Sequence, residues 1–321
     1  MSSSTFGEWL LIHYASIKSR SPNEGRRRWK LQVAQKFWAS SEKMLSSVST
    51  EQITILFTYD PRHSNISQTT AVVTDGDAEF HIDSDPFDEA STNREELGIL
   101  LRTDFSDEAA WLAFCSRLEE GEKEFADSPL EEDDMTMDDQ LEPNKASPSG
   151  TAATTTTVED GSHESDDDSE NSLSAIFHII NPSLSQERAL ITNISNLAAL
   201  RLFNDVDVRQ APIPPPDTKR IRPPNRLVDS GGWQEVYVGK NLWIYDAKSN
   251  SDQCVRVVSP SSSDMYGTAT ADSWRARVSH ICELQVNLSS GAMKIDFGGL
   301  DRWDYAERQR NMREAVTPGV L

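Results

Sequence analysis

Apolar positions near the start recur at helical spacing. Trp9, Ile12 and Ile17 share one face over residues 6–18, behind a T-x-x-E capping box formed by Thr5 and Glu8. The turn Ser21-Pro22-Asn23 separates this helix from a second, expected from about Trp29 to Ser47, with Trp29, Val33, Phe37 and Leu45 as its apolar positions. Ile53–Tyr59 (ITILFTY) then predicts a strand that ends at Asp60-Pro61. Thr70–Thr74 and Glu79–Asp83 read as two short strands around Asp75-Gly76-Asp77. Leu97–Leu101 reads as a buried strand. It runs through Arg102-Thr103-Asp104-Phe105 into a helix with Ser106 as its expected cap and Ala109, Trp111, Leu112, Cys115 and Leu118 as its apolar face.

From Gly121 to about Ser172 the pattern dissolves. Acidic clusters alternate there with Pro, Ser and the Thr154–Thr157 run, and such a stretch lacks the apolar area to offset its ordering entropy. A disordered insert is expected. Ala175–Ile180 reads as a strand, and Leu184–Leu202 as helix in two pieces with Asn193 or Ser195 capping the second. Val206–Arg209 is a short strand. Residues 211–224 hold six of the chain's fifteen prolines and predict an extended connector. Its Pro212-x-x-Pro215 resembles an SH3-type ligand, yet Asp217 stands where a cation is wanted. Trp233–Val238, Leu242–Tyr245 and Cys254–Val258 are expected strands. Trp274–Leu288 reads as a long strand pairing with Ala292–Phe297 across Ser289-Ser290-Gly291, and Asp301–Ala315 as a charged surface helix.

The fold class expected from this order is α+β. It comprises a basic helical part over residues 1–50, a strand–helix core in two parts (51–120 and 173–210), and an acidic insert at 121–172 between them. A connector at 211–228 leads to a β-rich part at 229–321, ending in a helix.

Charge sharpens this division. The chain of 321 residues carries a net charge of −21. Between Glu119 and Glu170 stand 19 Asp/Glu against Lys123 and Lys145, a net of −17, so the other residues sum to about −4. The acidity belongs to one segment. That excludes a uniformly acidic surface and makes nucleic acid an unlikely partner. Residues 1–45, by contrast, hold eight basic and three acidic side chains; such a hairpin can dock on the acidic insert, on phosphates or on nothing.

No apolar run approaches the roughly 20 residues of a membrane span. No charged segment followed by a cleavage site opens the chain, so neither membrane nor secretion is expected. Cys115, Cys254 and Cys282 form no CxxC pair and no disulfide framework. The expected compartment is reducing: cytoplasm or nucleus.

Candidate chemistry is sparse. Arg102, Asp104 and Asp107 gather where a strand hands over to a helix N-terminus, the edge at which α/β folds form ligand sites; equally, an Arg102–Asp104 pair can fix the turn. His81, Asp83 and Asp85 alternate as metal ligands on a strand would, but a charged loop explains the same residues, and no metal is assigned. His280 and Cys282 would share a strand face, about 6–7 Å apart, too far for a dyad without cross-strand partners. P-loop, G-x-G-x-x-G, G-x-S-x-G and H-E-x-x-H patterns do not occur, and no cofactor is expected. Trp233, Trp243, Trp274 and Trp303 read as core for short strands or as a stacking platform.

The run Ile99-Leu100-Leu101-Arg102-Thr103-Asp104-Phe105-Ser106-Asp107-Glu108-Ala109-Ala110-Trp111 resembles the opening of an uncharacterised domain family, in which an apolar strand, an RTDFSD-like turn and an AAW helix begin a small α/β unit. The Ala175–Ile180 strand and Val206–Pro212 are similar to its continuation. The resemblance covers about a quarter of the chain. It implies a compact α/β core and transfers no catalytic residue. The expected function is that of a soluble, non-enzymatic interaction or scaffold protein whose acidic insert attracts basic proteins. The alternative is an enzyme with its site near Arg102 and Asp104. Oligomeric state is left open.

Overall fold

The computed structural model describes residues 5–47, 79–91, 97–127, 175–217, 224–262, 267–295, 297 and 304–317. The expected strands at 53–59 and 70–74, and most of the acidic insert, lie outside them. So does the expected Ala292–Phe297 strand in part; residues 292–295 form no strand. Among the described residues no helix is long and apolar enough to cross a membrane.

The chain opens with α1 (Phe6–Arg20) and α2 (Arg26–Ser47). The Thr5/Glu8 capping box is formed: Glu8 N–H donates to Thr5 Oγ1 and Thr5 N–H to Glu8 Oε2. Gly25 makes the turn with φ at +92°. A Cβ there would stand 2.5 Å from Pro86 Cδ and 2.9 Å from Asp85 Oδ2, so only glycine fits. Helix α2 begins three residues before its first expected apolar position, and its basic start is buried. Arg26 donates to Asp88 at 2.7 Å and to Asp205 at 3.2 Å, Arg27 to Asp85 at 2.5 Å, and Lys30 to Asp205 at 3.3 Å. Asp85 lies between two short helical turns, α3 (Glu79–Ile82) and α4 (Asp88–Ser91), and Asp88 opens the second. The strand expected at Glu79–Asp83 is therefore helix followed by an acidic loop. The hairpin's cations dock on that loop and on Asp205.

Next come β1 (Gly98–Arg102), α5 (Glu108–Asp127) and β2 (Phe177–Ile180). They are followed by α6 (Ser185–Ile191), α7 (Asn196–Phe203) and β3 (Asp205–Gln210). The remainder is β4 (Trp233–Val238), β5 (Leu242–Tyr245), α8 (Ser249–Asp252), β6 (Cys254–Val258), β7 (Ser273–Arg277), α9 (Ile281–Ser289) and α10 (Tyr305–Val316). Two boundaries differ from expectation. The helix after β1 continues to Asp127, past Gly121. The long strand expected at Trp274–Leu288 stops at Arg277 and turns through a 3-10 turn (Val278–His280) into α9. Its apolar positions resemble a strand in sequence, but Ile281, Cys282 and Gln285 are buried at helical spacing.

The fold is α+β. Five strands form a mixed sheet in the order β2-β1-β5-β6-β7, parallel across β2, β1 and β5 and antiparallel from β5 to β7; β3 and β4 form a separate antiparallel pair. Strands from both sides of the proline connector thus share one sheet. One face, with Ile99, Leu101, Leu242, Ile244 and Val258, packs under α7 and the α1–α2 hairpin. The other face, with Leu100, Trp243, Tyr245, Val255 and Val257, packs under α5 and α9 through Trp111, Phe114, Leu118 and Ile281. Trp243 and Trp233 thus serve packing. Trp274 is 41% exposed and Trp303 lies outside the described residues.

Candidate functional site

Strand β1 is buried along its whole length, flanked in parallel by β2 and β5. From β1 the chain crosses to β2 by α5 on one face. It returns to β5 by way of α7 on the other. The ends of β1 and β5 therefore form the point where the winding reverses, the position at which open α/β sheets hold ligands. Arg102 at the end of β1 and Thr103 just after it meet Tyr245 at the end of β5. The structure brings the three sequence-selected residues Arg102, Asp104 and Asp107 to this edge, each engaged with other parts of the chain.

Arg102 is 0% exposed. Its Nε donates to the Asp104 carbonyl at 3.0 Å, one terminal nitrogen to Glu108 Oε2 at 2.8 Å, and the other to Asn181 Oδ1 at 3.5 Å. The guanidinium lies over the rings of Phe105 (4.9 Å) and Trp111 (4.8 Å), and Arg188 covers Phe105 as well at 4.9 Å. The hydrogen bond from Arg102 holds the exposed Glu108 carboxyl below its ordinary range.

Asp104 is held chiefly by hydrogen bonds from its surroundings, with Arg102's charge a smaller contribution. Its Oδ1 accepts from Ser106 N–H at 3.0 Å, Ser106 Oγ at 2.5 Å and Asn250 Nδ2 at 2.9 Å. Burial raises its pKa, but these hydrogen bonds outweigh burial and keep the carboxyl low. Asn250 in turn accepts from the Tyr245 hydroxyl at 2.7 Å, and burial pushes that phenol up to about 12. Thr103 donates its N–H and Oγ1 to the Tyr245 carbonyl, both at 2.9 Å. The helix cap is Asp107, not Ser106: its Oδ1 accepts from Ala110 N–H at 2.9 Å. Ser106 belongs to the turn at Asp104.

The other sequence candidates disperse. Asp83 accepts from Tyr14 and Lys18, and Asp85 from Arg27, so neither carboxylate is turned to a shared ion. Among the described residues no group of His, Cys, Asp and Glu is arranged to hold a metal. His280 is exposed in the turn before α9, while Cys282 is buried against Gly121, its thiol pushed up to about 12 by burial. A thiol held protonated in this way is no nucleophile. All three cysteines are free.

Two polar clusters escaped the sequence. Glu235, 0% exposed, accepts from the Tyr237 hydroxyl at 2.6 Å, Trp38 Nε1 at 3.1 Å and Arg201 at 3.4 Å. Its place inside a β-rich run hid it. The second lies beside the strand ends. Asp246 faces Arg256 at 3.0 Å and Arg275 at 2.9 Å, and α10 brings Glu307 and Asn311 onto α7. Asn196 N–H donates to Glu307 Oε1 at 2.7 Å and Leu197 N–H to Asn311 Oδ1 at 3.2 Å, with Ser195 Oγ bonded to Glu314. The terminal helix thus supplies the negative charge that the N-terminus of α7 attracts.

No family model matches this chain, and neither a curated protein nor a solved structure matches it.

Proposed function

We propose that this protein is a non-enzymatic interaction protein of the cytoplasm or nucleus: an α+β body that presents an acidic stretch to basic protein partners. The observation that carries the reading is the state of the strand ends. Where α/β folds of this winding hold a ligand, Arg102 is fully buried and its nitrogens are engaged by Asp104, Glu108 and Asn181. Asp107 caps α5 and the oxygen Oδ1 of Asp104 accepts three bonds from its own surroundings. The residues fasten β1, α5, α8 and the segment after β2 to one another. Charge supports the second half of the reading. A net of −17 between Glu119 and Glu170 attracts polycations, and phosphorylation beside Asp166–Asp168 at Ser165 would deepen that field.

The test is a titration of a Lys/Arg-rich peptide into the full chain and into a full-length form with Glu131, Glu132 and Asp166–Asp168 changed to their amides. At low salt the unaltered chain should bind at least several-fold tighter, and the difference should collapse as salt shortens the roughly 8 Å Debye length. Equal affinity, or binding indifferent to salt, overturns the reading.

An enzyme with its site at the same edge is the second reading, favoured by the half-buried Asp104 carboxylate linked through Asn250 to the Tyr245 hydroxyl. It requires an Asp104→Asn form that folds normally yet loses a ligand the unaltered chain binds.

A further inference from the structure

The chain leaves β3 through Ala211, whose N–H donates to Gly232 O at 2.9 Å, and enters Pro212-Ile213-Pro214-Pro215-Pro216. Only Ile213 has a backbone N–H there, so this stretch can build neither a helix nor a strand ladder. Each proline fixes φ at roughly −65°. Ala211, Ile213, Pro214 and Pro215 each stand before a proline, which drives them out of the helical region. The two constraints together leave polyproline II, a stiff rod with no internal hydrogen bonds. Residues 211–215 are accordingly neither helix nor strand, and Asp217, with φ at +65°, turns the chain at the rod's end.

Such a rod has three residues per turn, so its side chains fall on three edges. Ala211 and Pro214 share one edge, and both are half-buried against the body. Ile213 and Pro216 share the second, and both are exposed. On the third, Pro215 is exposed and Pro212 half-buried. Ile213 is 91% exposed, more than any other large apolar side chain among the described residues. A lone exposed apolar residue is ordinary. This one lies between prolines on a rod that already has the shape an aromatic-lined groove binds, so docking has little backbone left to order.

The charge wanted beside the prolines is present at the other end from Asp217. A polyproline II rod looks much the same read in either direction, so a flanking cation serves on either side. Arg209 stands three residues before Pro212, at the end of β3, with its side chain 59% exposed. It pairs with Asp207 at 2.6 Å. An exposed pair of this kind contributes little, so exchanging Asp207 for a partner's carboxylate costs little. A guanidinium can meet that carboxylate with two parallel bonds, which fixes the direction in which the rod lies. We infer that residues 209–216 are a docking site for a protein domain with an aromatic-lined polyproline II groove and an acidic rim. The rings take Pro212, Ile213, Pro215 and Pro216, and the rim takes Arg209.

The site does not rest on the acidic stretch, and its test keeps the two apart. The unaltered full chain is titrated into two isotope-labelled probes, an SH3 domain and a WW domain, which grip the same kind of rod with different sets of rings. The groove resonances of at least one probe should shift and saturate. Pro212→Ala with Pro215→Ala should weaken that binding at least about tenfold, while the far-ultraviolet spectrum and thermal transition of the chain stay as they were. Arg209→Glu should weaken it several-fold, and Arg209→Lys should recover part of the loss. The form with amides at Glu131, Glu132 and Asp166–Asp168 should bind the probe as the unaltered chain does, so either reading can fail without the other. No saturable shift in either probe up to millimolar chain overturns the inference. So does binding that survives the two proline changes, since another segment then carries it. Binding indifferent to Arg209→Glu overturns it too, because the rim then has no part in it.

Discussion

At the scale of single residues, the side chains most sensitive to change are buried polar ones. Glu235 gathers Tyr237, Trp38 and Arg201 with no exposure to solvent. Removing its carboxylate breaks the buried Arg201–Glu235 pair, a loss of about 3–5 kcal/mol by the usual cost of breaking such a pair. Glu235→Leu should therefore lower the urea midpoint sharply, and Glu235→Gln, which still accepts hydrogen bonds, should lower it less. Equal effects would mean that the charge is immaterial and only the volume counts. Gly25 is constrained by backbone instead. With φ at +92° and the Asp85-Pro86 loop against it, Gly25→Ala must move that loop away from Arg27. The expected loss is about 1–3 kcal/mol, visible as an earlier thermal transition; an unchanged melt would show the contact to be soft.

At the scale of elements, the attachment of α10 should depend on pH. Asp272 and Asp304 hold its start, Asp272 by Arg308 and Asp304 by Ser273. Burial pushes both carboxyls up to about 6, against the partial opposition of Arg308 on the first and Arg256 on the second, with Glu307 and Asp246 adding repulsion at Asp304. A carboxyl whose folded pKa lies above its unfolded value keeps its proton in the folded state while the unfolded chain has lost it. Stability from these two groups is thus greatest at low pH and falls as pH rises from about 4 to about 6. Asp246 runs the other way: burial raises its pKa, but Arg256 and Arg275 hold it low, so its contribution disappears only in stronger acid. Amide exchange in α10 should accelerate between pH 4 and 6 beyond the intrinsic trend, and Asp304→Asn should flatten that rise. A profile unaltered by Asp304→Asn sinks the assignment.

Elements also show what could be read in advance. Thr5 with Glu8, the strand at 97–101, and Ser195 were legible because caps and apolar runs are local signals. The β7–α9 boundary was not. Val278, Ile281, Leu284, Val286 and Leu288 suit either period, and the choice was made by contact with α5, a partner more than a hundred residues away. The candidate site was half legible. Arg102, Asp104 and Asp107 do converge on the strand end, but Glu108, to which the sequence assigned no role, and Asn250 and Tyr245, which lie in no motif, complete it. That Arg102 is fully buried depends on Phe105 and Trp111 folding back over it.

At the scale of the molecule, the sheet order ties together parts of the chain that the acidic stretch keeps apart in sequence. Strand β1 lies before that stretch and β2 and β5 after it, yet β1 sits between them with both ladders formed. Its five residues are buried, and α5 covers Trp243 and Tyr245 from the far fragment through Trp111 and Phe114. Further upstream, Trp38 donates to Glu235, and Arg26 and Lys30 to Asp205, again across the stretch. A break in the backbone between residues 128 and 174 removes none of these contacts. It only releases the tether, whose closure entropy changes slowly with length. A full-length chain with a specific protease site inserted after Gly150 should therefore, once cut, still elute as one particle, with its near-ultraviolet Trp signal intact. Its two fragments should part only in denaturant, at a midpoint that falls on dilution. Fragments that separate on cutting under native conditions would mean that β1 is held by its tether rather than by its neighbours.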